Sequence, residues 1–179
     1  TMLAWFGGVS LLMLVPLACA AVAWWWAGYF TIRRRMTLPS MVLASAYGAG
    51  VYTFAVTAMG LGDASDRMLL IGGFSLAAAA MALWYWRFKL PFAAFLTGLF
   101  ALGVVYSVTA TLQNVTSLMS GGAGFEALFD LGRSPAFATA TLLFGIAAFL
   151  VGMWFDTRDP HRLGRHAATA FWCHMLAAP

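Results

Sequence analysis

Charge is scarce in this 179-residue chain: Asp, Glu, Lys and Arg make up 9% of it, against 63% hydrophobic residues. An ordinary soluble domain carries about 25% charged and roughly 45–50% apolar residues. A chain this apolar cannot cover a water-facing surface, so lipid is its principal solvent. The ten basic and six acidic residues also avoid the apolar runs, falling in loops or at run ends. Ion-coupled carriers and proton pumps keep an ionisable side chain inside the bundle, where the ion or proton is handed on. That absence counts against a proton- or sodium-driven transporter, although backbone carbonyls remain free to hold a cation.

Cysteine and histidine are equally sparse. Cys19 and Cys173 both lie in apolar runs, and neither belongs to a CxxC pair. A metal ribbon or disulfide framework is therefore unsupported, and both read as small packing residues. His161, His166 and His174 come from one segment, so no facing pair of helices offers two haem ligands. Cys173 and His174 are adjacent and point to different faces, which defeats a zinc site. GxxxxGK[ST], HExxH and GxSxG are all missing. The expectation is a non-enzymatic protein with no cofactor and no metal. The first run lacks a basic leader and is too long for a signal-peptide core, so no cleavable signal is read. Thr1 stands where an initiator Met would, and Pro179 falls within an apolar run; a piece of a longer polypeptide is expected.

What the chain has is apolar length. About 20 residues at ~1.5 Å rise cross ~30 Å of hydrocarbon. Five runs reach that length, approximately 2–30, 40–61, 68–86, 92–112 and 136–155, and a sixth begins near Ala167. Lipid leaves no backbone group to water, so these runs must be helices, and barrel-strand alternation is absent. Pro16 is expected to kink the first.

The net charge of +4 and pI near 9.5 do not point to nucleic acid, because the basic residues cluster in short loops. Arg33, Arg34 and Arg35 follow the first span; Arg87 and Lys89 follow the third; Arg158, Arg162 and Arg165 follow the fifth. Only Arg67 and Arg133 fall on the other side. Positive residues stay with the cytoplasm, so loops 33–39, 87–91 and 156–166 are expected to be cytoplasmic. Trp24, Trp25, Trp26 and Tyr29, then Trp84, Tyr85 and Trp86, then Trp154 and Phe155 precede those loops. Such amphipathic rings suit the headgroup layer, and a cytoplasmic interfacial belt is expected.

Leu38-Pro39 and Leu90-Pro91 open the second and fourth spans 52 residues apart, and Val56-Thr57-Ala58 matches Val108-Thr109-Ala110 at the same offset. Either a duplicated hairpin or the common fitness of proline for a first helical turn produces this. Ala44 and Gly48, and Ala46 and Gly50, stand four apart, which lets helices approach closely in lipid. Ser45, Thr53, Thr57, Ser107 and Thr109 are the residues that would line a narrow pore. In the outer loop 113–135, Phe125, Leu128 and Phe129 suggest a short helix on the membrane surface, and Asn114-Val115-Thr116 is a glycosylation sequon. His174 reads either as a neutral imidazole hydrogen-bonded to a neighbouring helix or as a proton relay or ligand contact.

The segment from Phe155 to Arg162, with Asp156, Asp159, Pro160 and Arg162, followed by Phe171-Trp172-Cys173-His174-Met175-Leu176-Ala177-Ala178-Pro179, resembles a family of uncharacterised bacterial multi-pass inner-membrane proteins. Their signature reads roughly D-x-x-D-P-x-R, then F-W-x-H-x-L-A-A-P. Cys173 stands where that pattern has an aliphatic residue. The resemblance implies a bacterial inner-membrane location and singles out Asp159, Arg162, Trp172 and His174; it implies no activity.

The sequence thus predicts an all-α polytopic transmembrane helical bundle, five full spans plus the start of a sixth, forming one transmembrane domain over 1–179. Membrane lipid is the expected partner, with a protein partner or second copy docking on small-residue helix faces and no nucleic acid. Two roles stay open: a subunit or scaffold, or a transporter or channel for a neutral or lipidic small molecule.

Overall fold

In the computed structural model, the described residues are 2–62, 65–109, 135–159, 161 and 164–177. They form six α-helices and, among the described residues, no strand: α1 (Met2–Ala27), α2 (Thr37–Gly60), α3 (Asp66–Phe88), α4 (Pro91–Thr109), α5 (Pro135–Thr157) and α6 (Arg165–Ala177). The expected all-α polytopic bundle is the observed fold. Met13–Arg33 and helices α2 to α5 are each long and apolar enough to cross a membrane. Helix α6, with 13 residues, rises only about 20 Å and stops short of that thickness. The surface helix expected near Phe125, the Asn114 sequon and Arg162 lie outside the described residues.

Local chemistry sets the helix ends. Ser65 caps α3 by accepting from the Met68 N–H, Asp66 sits in its positive first turn and Arg87 in its negative last turn. Pro91 is the first residue of α4, and Pro39 the third of α2, positions whose N–H has no helical partner. Helix α1 runs through Pro16 unbroken, and the backbone widens later, into π-helical turns over Gly28–Arg33.

The packing is inside-out relative to a soluble protein. Helix α1 lies against α2, α2 against α3, and α3 against α4, while α4 also meets the α5–α6 pair. The inward stripes are mostly small: Ala20, Ala23 and Ala27 of α1, Ala44 and Gly48 of α2, Gly73 and Ala77 of α3. Many of the large apolar side chains, Val42, Trp25 and Leu143 among them, face out, where lipid receives them. Without a hydrophobic drive between helices in lipid, close backbone approach supplies the attraction. At Gly50 that approach is tight, since an added Cβ would stand 2.7 Å from the Pro16 carbonyl oxygen.

One part of the expected aromatic belt turns inward. Trp25, Trp86 and Trp154 are exposed, but Trp84 is fully buried and Trp24 is half-buried. Trp24, Tyr47, Trp84 and Phe88 form a ring cluster with centroids 4.7–5.6 Å apart between neighbours. Successive helical residues point ~100° apart, so a Trp-Trp-Trp or Trp-Tyr-Trp run cannot keep all its rings at the lipid face.

Candidate functional site

Two features break the close packing, both built on α5 and α6. The turn between these helices is braced by Asp159, whose Oδ2 accepts from the Gly164 N–H at 2.6 Å. The helices leave that turn antiparallel. Side chains lean toward the N-terminus of their own helix. Asp156, in the last turn of α5, therefore leans into the bundle, while His174 of α6 leans back toward the turn. His174 Nε2 and Asp156 Oδ2 meet at 3.0 Å.

Gly152 makes room for that contact, because a Cβ there would lie 2.8 Å from His174 Cε1. Phe149 flanks the imidazole with centroids 5.3 Å apart. The two side chains keep 32% and 21% exposure, beside a recess of about 130 Å³ that Ala167 and Phe171 also line. The arrangement suits a structural hydrogen bond between α5 and α6.

The second feature is an apolar cleft of about 380 Å³ where α3, α4, α5 and α6 converge. Ala82 and Tyr85 of α3, Ala94 and Gly98 of α4, Ala148 of α5 and Cys173 of α6 are on its wall. Alanine and glycine on three helices leave the space open. Its few polar groups are already committed. Thr97, on its wall, donates to the Ala93 carbonyl at 2.8 Å; Thr169, which is not on the wall but meets Tyr85, donates to the Arg165 carbonyl at 2.9 Å. With the Thr169 proton spent there, the Tyr85 hydroxyl is the donor in its 3.4 Å contact with Thr169 Oγ1. What remains facing the cleft is hydrocarbon, ring and thiol.

The three signature positions among the described residues do not converge. Asp159 braces the turn, His174 faces α5, and Trp172 packs on α4 with its ring 5.0 Å from Phe92 and 5.4 Å from Phe95. Arg162 lies outside the described residues. The hydroxyls considered as pore liners do not form a polar path either: Thr53, Thr57, Ser107 and Thr109 each donate to the carbonyl four residues back. Sequence reasoning named Asp156 only as part of the signature and missed its pairing with His174, which depends on how α5 and α6 face each other. It missed the cleft because a void is a property of four helices at once. Among the described residues, no three His, Cys, Asp or Glu side chains gather as a metal site. Comparison with protein-family models, curated proteins and solved structures found no match for this chain.

Proposed function

We propose that this multi-pass membrane protein holds an apolar or lipidic molecule within the bilayer, in the cleft between α3, α4, α5 and α6, and acts without catalysis. The cleft carries the proposal. Its volume falls in the ~300–1,000 Å³ range of ligand sites. Its hydroxyls are satisfied internally, so an alkyl or isoprenoid chain loses nothing on entering, whereas a polar solute would forfeit its hydrogen bonds to water. Between the two kinds of cargo left open by the sequence, neutral or lipidic, this supports the lipidic one for a transporter.

Solvent extraction of protein purified in mild detergent, followed by mass spectrometry, tests the reading. A lipidic species should accompany the native protein near stoichiometrically and be lost from Ala148→Phe, which fills the cleft. No retained species, and no binding of an added alkyl probe, would remove the proposal.

We place the protein in a bacterial inner membrane, with loops 33–39, 87–91 and 156–166 cytoplasmic. The segregation of basic residues supports the orientation, and the resemblance of residues 155–179 supports the location. The subunit or scaffold reading is favoured by a different observation: α5 exposes Leu142, Leu143, Ile146, Phe149, Leu150 and Met153, a surface for lipid or a partner helix. Ala44, Gly48 and Gly50, by contrast, are spent on packing within the chain. Native mass spectrometry from nanodiscs tests this reading, which a lone monomer would defeat.

A further inference from the structure

Residues from the first and second basic loops share one pocket. Thr31, Arg35, Thr37 and Ser40 line it from the end of the first span and the start of α2, and Lys89 and Leu90 from the α3–α4 turn. Its volume is about 170 Å³. Arg35 and Lys89 are also the two non-glycine residues with positive φ among the described residues, at 51° and 53°. That left-handed conformation turns the chain sharply out of one helix and toward the next, and it brings both cations to the same recess.

Three other cations at this end are engaged by rings. Arg34 donates to the Tyr29 hydroxyl at 2.9 Å and lies over its ring. Arg87 covers Phe88, and Arg158 lies 4.0 Å from the Trp154 centroid. The Arg35 guanidinium and the Lys89 ammonium have no carboxylate, hydrogen-bond or ring partner among the described residues. The floor is polar but settled: Thr31 donates to Ser40 Oγ at 2.9 Å, and Ser40 donates to the Met36 carbonyl. The Thr37 hydroxyl and the leading N–H groups of the 24-residue α2 add positive character beside the cations. Two unpaired cations on one recess attract an anion, and the tetrahedral oxygens of a phosphate accept from both side chains at once.

We infer that this recess binds a phosphate-type oxyanion, a phosphodiester headgroup of an anionic phospholipid or a soluble phosphate, between Arg35 and Lys89. The site is separate from the apolar cleft and does not rest on its occupant. Binding ties the first hairpin to the second by neutralising two like charges that otherwise repel.

The full chain in nanodiscs of mixed phosphatidylcholine and phosphatidylglycerol provides the test, read by native mass spectrometry of retained lipid. The native protein should retain phosphatidylglycerol preferentially. Arg35→Asn and Lys89→Asn remove the charge while keeping a residue that tolerates positive φ. Each should reduce the preference roughly fivefold, and Lys89→Arg should restore it. Should a variant fail to fold, the native preference and the Lys89→Arg protein still decide. A second arm adds inorganic phosphate to protein in detergent. A rise in melting temperature on phosphate, without lipid preference, assigns the site to a soluble anion. No lipid preference and no response to phosphate overturns the inference, as does a preference that both Asn variants keep.

Discussion

His174 Nε2 stands 3.0 Å from Asp156 Oδ2, and this contact joins the body of α6 to the last turn of α5. A hydrogen bond to a charged acceptor is worth about 1.5–3 kcal/mol, and leaving one partner unsatisfied costs a similar amount. Asp156→Ala and His174→Ala should each lower stability by about 1–3 kcal/mol in detergent unfolding. The double variant should cost less than the sum, because each change already removes the shared bond. Gly152→Ala should lose the same bond by pushing the imidazole aside. Additive losses would show that the pair is not coupled.

Two glycines of α2 should respond oppositely to alanine. A Cβ at Gly50 meets the Pro16 carbonyl oxygen, backbone that cannot yield, whereas nothing lies within 4 Å of one at Gly60. Gly50→Ala should cost about 1–3 kcal/mol, the range for overpacking. Gly60→Ala should be neutral or gain up to about 1 kcal/mol from helix propensity. Thermal unfolding of both variants measures the difference.

Trp84 carries a cost as well as a benefit. Its ring is fully buried in the cluster, but its Nε1 has no hydrogen-bond partner among the described residues. Trp84→Ala should lose about 3–5 kcal/mol as a large cavity opens. Trp84→Phe removes the orphan donor, worth about 1–3 kcal/mol, while losing part of the ring. The two effects oppose, so Trp84→Phe should stay within about 1 kcal/mol of the native protein in the same assay.

Asp159 should behave as a brace. Its carboxylate accepts from the Gly164 N–H, and it touches neither the cleft nor His174. Asp159→Ala should cost about 1–3 kcal/mol, with Asp159→Asn recovering much of it because the amide oxygen still accepts. Retention of a lipidic molecule in the cleft should be unchanged in the folded fraction of both variants.

The spans were legible because lipid demands length and apolarity, both of which are written along the chain. Observed helices α2 to α5 fall within a few residues of the runs read from sequence, apart from α4, whose described part ends at Thr109. Faces were less legible. Ala44 and Gly48 pack inside as their spacing suggested, yet Ala46 is exposed while Gly50, its partner in the pattern, is buried. Trp25 and Trp86 reach lipid, at 81% and 75% exposure, but Trp84 does not. Sequence sets the angle between neighbouring side chains, and only the other helices decide which angle points inward. The Asp156–His174 pair and the cleft depend on that choice for two and four helices respectively, so neither could be read from one dimension.

The central claim is a bundle surrounded by lipid, with its basic turns gathered at one end. Single cysteines at Met36 and Gly62, in a chain carrying Cys19→Ser and Cys173→Ser, test it most directly. A membrane-impermeant maleimide applied to intact spheroplasts should label the cysteine at 62 and spare the one at 36 until the membrane is opened. Labelling at 36 in the intact spheroplast, or purification of the native chain from the soluble fraction without detergent, would contradict the account.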